Sequence, residues 1–254
     1  MAEEVVAKGK GEDRPASASK PRRVKRPMFE DPKVDPSLPN VLLIGDSISI
    51  AYTLGVREAL AGNANVFRPP VNCGPTTRGV ESLDGWLGDR EWAVIHFNFG
   101  LHDLKYMAPD KNLVSPDSEG AFQQVPPEAY RENLEKIVER LKRTDAVLIW
   151  RETTPVPAGA AGRIPGDARR YNEIAAEVMA RAGDIRIDPF FAHAESIADD
   201  QREANVHYTP EGAQAQAEHV AEVIGEALRN VGGEALKNVG GEALDKSDSS
   251  GQVR

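Results

Sequence analysis

The chain has 254 residues and a single cysteine, Cys73. One thiol cannot build an intrachain disulfide framework or a cysteine-rich metal site. The five histidines show no zinc-helix spacing, so no metal is expected. No run reaches the roughly 20 apolar residues of a membrane span. The opening residues, Met1 to Lys10, lack the apolar core of a secretory leader. A cytoplasmic protein without a membrane partner is the default expectation. Positive charge is scarce too: 31 Lys and Arg stand against 40 Asp and Glu, a net charge of -9. That balance excludes general nucleic-acid binding by the folded part. No Gly-x-Gly-x-x-Gly follows the first apolar strand, which argues against a dinucleotide site, and no cofactor is expected.

What the chain does have is enough apolar residue, 40%, to bury a substantial core. Residues 1–36 are rich in Lys, Glu, Pro, Ser and Ala and are expected to form a disordered tail. Its basic cluster, Lys20 to Arg26, reads as solvated chain. Residues 37–230 are expected to form one domain. Residues 231–254 hold most of a tandem repeat, in which Gly225–Gly232 recurs as Gly233–Gly240; the repeat is expected to be frayed or partly helical and the tail largely disordered.

Within the domain, strands are predicted at 41–45, 65–68, 92–99, 146–150 and 185–187. Helices are predicted at 49–60, 79–87, 130–143, 167–182 and from Pro210 to about Asn230. Residues 105–126 read as one long polar loop. Alternating strands and helices indicate a parallel sheet of about five strands with helices on both faces. In such a sheet all C-terminal strand ends share one edge, where ligands bind.

The stretch Val41-Leu-Leu-Ile-Gly-Asp-Ser47-Ile-Ser49 is a buried strand running into a turn and a helix start. Its serine is either a helix cap or a nucleophile beside outward-facing N–H groups. The same edge collects Gly74, Gly100-Leu101-His102-Asp103 and His207. A serine, a histidine and N–H donors are the parts that acyl transfer needs.

These blocks, Gly45-Asp46-Ser47, Gly74, Gly100-Leu-His-Asp103 and Val206-His-Tyr-Thr-Pro-Glu-Gly212, resemble the ordered motifs of the SGNH/GDSL hydrolase family over about residues 39–230. The resemblance implies a flavodoxin-like three-layer α/β/α sandwich and ester hydrolysis through a serine acyl-enzyme. It implies Ser47 as nucleophile, His207 as base, and the N–H groups of Ser47 and Gly74 as an oxyanion hole. The implied partner is a small-molecule ester, with an acetyl group on a carbohydrate as one option.

The chain departs from the family pattern at two positions. His102 stands where the family has an oxyanion-donating Asn, with Asn98 as an alternative donor. Ala204 stands where the family has an acid three residues before the histidine. The other acids available to orient His207 are Glu203, Asp200, Asp199 and Asp103. A Ser-His dyad, a triad with a displaced acid, a non-catalytic binding relative and an acyltransferase all fit this residue set. His102 could equally be a structural residue bonded to Asp103. Outside the blocks, His96 is expected to be a satisfied core residue and His219 to lie on a helix surface, while His193 has no partner pattern.

Overall fold

A computed structural model describes residues 26–244, with side chains through residue 230. In chain order the elements are β1 (Asn40–Ile44), α1 (Ser47–Ala59), β2 (Asn65–Phe67), α2 (Thr76–Leu87), β3 (Val94–Phe97), β4 (Tyr106–Met107), β5 (Phe122–Gln123), α3 (Pro127–Leu141), β6 (Val147–Arg151), α4 (Asp167–Ala182), β7 (Arg186–Asp188), α5 (Phe190–Ser196) and α6 (Pro210–Leu244).

Val41, Leu42, Leu43 and Ile44 are all buried, as a strand covered on both faces requires. The sheet order is β2-β1-β3-β6-β7, with every pairing parallel. α1 and α6 pack on each other, and α2, α3 and α4 pack in a row. The helices cover both faces of the sheet, giving the three-layer fold. Periodicity explains α3: Tyr130, Leu134, Ile137, Val138 and Leu141 line its buried side. The chain moves outward from β1 to β2, then crosses back over β1 to reach β3. This reversal opens a crevice between the C-terminal ends of β1 and β3. Gly45, at the end of β1, has no room for a side chain, since a Cβ there would lie 2.9 Å from Ser49 Oγ.

Four features depart from the sequence expectations. Residues 105–126 contain a two-stranded antiparallel hairpin, with Tyr106 opposite Gln123. Its strands are two residues long, too short to show alternation. Residues 26–36 fall in the expected tail, where the sequence left only Pro27-Met28-Phe29 open to folding back onto the domain edge; the whole segment lies along the α1–β2 edge. The Arg57 guanidinium donates to the carbonyls of Pro27 and Glu30 at 3.0 and 2.9 Å. The Asn65 side chain donates to Asp35 O at 2.8 Å. These long-range partners leave no trace in local composition. Helix α6 continues through the repeat to Leu244, because Glu, Ala, Leu and Lys are strong helix formers that outlast the glycine pairs. His219 does not sit free on a helix surface: its Nε2 bonds the buried Asp188 carboxylate at 2.6 Å. Residues 1–25 and 245–254 of the expected tails lie outside the described residues.

Candidate active site

Asp46 opens α1. Its carboxylate accepts the Ile48 N–H at 3.0 Å and caps the helix. Ser47 therefore occupies the first helical position, where its own N–H has no intrahelical acceptor. The cap is Asp46, so capping does not explain Ser47.

His207 reaches Ser47 from the opposite side of the crevice. It sits in a tight loop closed by the bridge between Gln201 and Tyr208 and by the Arg202 N–H on His207 O at 2.9 Å. Thr209 Oγ1 accepts the Gly212 N–H at 3.1 Å, which starts α6 just after the histidine. The imidazole Nε2 lies 2.8 Å from Ser47 Oγ, and Nδ1 lies 2.7 Å from Asn205 Oδ1. That same Oδ1 accepts the His207 backbone N–H at 3.0 Å, which sets the orientation of the amide. An amide oxygen only accepts, so the proton sits on Nδ1 and Nε2 offers its lone pair to the Ser47 hydroxyl.

Burial lowers the His207 pKa below its ordinary value. Asp46 opposes this, while Arg163 and Arg202 reinforce it. His207 is thus neutral near pH 7 and can accept a proton. His102 is lowered as well, first by burial, with Asp46 opposing and Lys105, Arg163 and His207 adding to it.

Asn205 corrects the expectation of an orienting acid. Among the described residues none of Glu203, Asp200, Asp199 and Asp103 hydrogen-bonds His207. Glu203 and Asp199 are exposed. Asp200 supplies its backbone carbonyl to Thr209 N–H at 2.8 Å. Asp103 is fully buried and accepts from Thr76 N and Oγ1 at 2.8 and 2.5 Å. Burial pushes its pKa up to about 7. It ties the start of α2 to the end of β3, and it does not pair with His102. Asn205 lies two residues before His207, outside the family's acid position, and as an ordinary turn residue it carries no sequence signal of its own. Ala204, at the family's acid position, has a left-handed backbone at φ 49°.

The oxyanion candidates are rearranged too. Gly74 has φ +66°, a conformation that suits glycine, and its N–H donates to Asn72 Oδ1 at 2.9 Å. Asn98 is buried just past β3 with its Nδ2 donating to Arg151 O at 2.8 Å, and it is not among the residues lining the crevice. His102 does line the crevice, together with Asp46, Ser47, Asn72, Arg163 and His207. The buried Arg68 guanidinium bridges Gly45 O and Val71 O at 3.4 and 3.2 Å, pinning the Asn72 loop beside the nucleophile turn.

This cleft measures about 390 Å³. Larger ones of about 580 and 600 Å³ lie beside Pro36 and Arg57 and beside Ala59 and Arg229, away from Ser47. Convergent polar groups, not size, mark the site. Cys73 is buried, and burial raises its thiol to about pKa 11, which leaves it inert. Among the described residues no group of three His, Cys, Asp or Glu could hold a metal ion. Nor is any described helix long and apolar enough to cross a membrane.

Known proteins share this fold. Among solved structures, a lipase/acylhydrolase from Enterococcus faecalis has a TM-score of 0.58 at 16% identity, covering 73% of this chain and 95% of its own. An acetyl xylan esterase, AlAXEase, has a TM-score of 0.57 at 12% identity, covering 73% and 99%. A carbohydrate esterase family 3 structure from Talaromyces cellulolyticus has a TM-score of 0.54 at 11% identity, covering 76% and 99%. Identities this low show a shared fold. No curated protein matches the sequence. The model of the GDSL-like Lipase/Acylhydrolase family matches residues 43–215. The chain belongs to the GDSL-like Lipase/Acylhydrolase family and is an ester hydrolase.

Proposed function

We propose that the protein is a serine esterase acting on small acyl esters, with Ser47 as nucleophile and His207 as general base. The observation that carries this is the 2.8 Å contact between Ser47 Oγ and His207 Nε2, made by the nitrogen that lacks a proton. Ser47 Oγ attacks the ester carbonyl carbon while its proton passes to Nε2. The tetrahedral intermediate expels the alcohol, which takes that proton from Nε2. Water then attacks the acyl carbon and gives a proton to Nε2. The acid departs, and Ser47 Oγ regains the proton.

The Ser47 N–H is one donor to the oxyanion. Because the Gly74 N–H is engaged by Asn72 Oδ1, we assign the second donor to Asn72 Nδ2, the free end of an amide that Gly74 holds in place. His102 is a further wall of the cleft, neutral and able to donate from its ring.

The substrate we favour is an acetyl ester of a carbohydrate. Ala160, Ala161 and Ala204 leave room for a short acyl group, and Asn72, Asn205 and Arg163 offer the polar contacts a sugar uses. A long acyl chain would need an apolar channel. The fold is also shared with an acetyl xylan esterase.

The test compares hydrolysis of 4-nitrophenyl acetate, butyrate and octanoate, and acetate release from acetylated xylan, by wild type, Ser47→Ala and His207→Ala. Wild type should prefer acetate, and each variant should lose at least a thousandfold in kcat. Wild-type rates equal to those of Ser47→Ala would refute the assignment.

A further inference from the structure

The acidic chain keeps cations around its nucleophile. Arg163 lines the same cleft as Ser47 and His207 and is half-buried. Its guanidinium is clamped by neutral acceptors: Nε and Nη2 donate to Leu101 O at 3.0 and 2.9 Å, and Nη1 donates to Ala161 O at 3.2 Å. Each Nη therefore keeps one N–H without an acceptor among the described residues. Among those residues no carboxylate lies within ion-pairing distance of Arg163. Lys105 and Arg202 stand close enough to act electrostatically on His102 and His207 respectively. The acids facing them are Asp46, which acts on Arg163 but is buried and committed to capping α1, and Asp103, which acts on Lys105 but is buried and bonded to Thr76.

A half-buried guanidinium that is rigidly held and lacks a carboxylate partner has lost hydration without gaining an ion pair. A planar anion offers it charge-assisted hydrogen bonds, and a carboxylate matches its two remaining N–H groups. A short acyl group such as acetyl carries no charge of its own, so the anion would belong to the alcohol part of the ester.

We propose that Arg163 is a carboxylate subsite of the ester cleft, and that the natural alcohol carries a carboxylate, as the acetyl ester of a uronic acid does. This rests on Ser47 and His207 being the ester-cleaving pair. Charge complementarity would then serve both capture and orientation, drawing an acidic sugar to Arg163 in a chain with net charge -9 and setting its acetyl group against Ser47.

The test uses an isosteric pair, 4-acetoxybenzoate and 4-acetoxybenzamide, which differ in alcohol-side charge. Wild type should favour the benzoate in kcat/KM, chiefly through KM, and added salt should erode that preference. Arg163→Gln should cut the benzoate-to-amide ratio at least tenfold, while Arg163→Lys should retain more of it. A ratio unchanged in Arg163→Gln, or a wild type that favours the amide without salt dependence, would overturn the subsite. An acyl-side control, 4-nitrophenyl hydrogen glutarate against its methyl ester, should show no comparable preference; if the charge effect appears there instead, the alcohol-side assignment fails.

Calorimetric binding of 4-acetoxybenzoate to Ser47→Ala and to Ser47→Ala/Arg163→Gln separates the two claims. Binding at least tenfold tighter in the first supports the anion subsite even if Ser47 proves not to be the nucleophile. Equal binding overturns the subsite even if Ser47 is.

Discussion

Asn205 Oδ1 accepts the Nδ1 proton of His207 at 2.7 Å, in the place where serine hydrolases commonly carry a carboxylate. The amide fixes the productive tautomer and ring direction. It does not supply the negative charge that stabilises an imidazolium. This site therefore has the orientation half of a triad acid without the electrostatic half.

Asn205→Asp should raise kcat about tenfold by adding that charge, and Asn205→Ala should lower it about tenfold by freeing the ring. The pH profile separates charge from packing. His207 lies below its ordinary 6.5 and must be neutral to act, so kcat/KM should hold above that pH and fall on its acid side. In Asn205→Asp the new carboxylate should move the acid limb to higher pH. Rates and limb both unmoved in Asp and Ala variants would remove Asn205 from the mechanism.

The amide of Asn72 carries the second prediction. With Oδ1 on the Gly74 N–H, its Nδ2 is the amide end left free, and in the proposed mechanism it donates to the oxyanion. Asn72→Ala should lower kcat about a hundredfold with little change in KM, as loss of an oxyanion donor does. A rise in kcat would instead mean that the freed Gly74 N–H is the better donor and that Asn72 obstructs it.

A buried cluster behind the site sets the acid limit of the fold. Asp188 is fully buried and takes bonds from His96 at 3.0 Å and His219 at 2.6 Å. Burial alone would raise the Asp188 pKa, but the bonds from His219 and His96 overcome this and hold it well below the carboxylate range. Burial also lowers His96, against the pull of Asp188, with Arg151 and His219 adding to the lowering. Both groups bind fewer protons when folded than when unfolded, so each stabilises at high pH. The His96 contribution should be complete above its ordinary 6.5 and fade below it, and that of Asp188 should fade below its ordinary 3.8. Asp103, raised to about 7, works in the opposite sense between pH 4 and pH 7, so the cluster is read by difference: in urea unfolding the stability of wild type relative to His96→Gln should grow from pH 4 to pH 8. Asp188→Asn should cost about 3 kcal/mol at neutral pH by breaking a buried paired charge. A difference between wild type and His96→Gln that is flat in pH would contradict the linkage.

Periodicity and order exposed most of the fold. The apolar run at Val41–Ile44 and the spacing of Leu134, Ile137, Val138 and Leu141 mark a covered strand and an amphipathic helix without any tertiary information. Ser47 and His207, 160 residues apart in sequence, could be paired because parallel strands deliver their ends to one edge. What stayed hidden depends on side-chain partners that local pattern does not encode. Asn205 sits in plain view two residues before the histidine, yet its role follows from a loop turned by Ala204. Asn98 reads as an edge donor until the β6 carbonyl of Arg151 claims it. His219 reads as surface until Asp188 is seen beneath it. The hairpin of Tyr106 and Gln123 is too short to leave a period.

The central claim, that the Ser47 hydroxyl is activated by His207, is tested most directly by covalent trapping. The protein should be treated with a fluorophosphonate, its intact mass measured, and the adduct mapped by peptide sequencing. A single adduct on Ser47, formed at least a hundredfold more slowly in His207→Ala and absent in Ser47→Ala, is the predicted result. An adduct on another residue, or labelling of Ser47 at the same rate without His207, would contradict it.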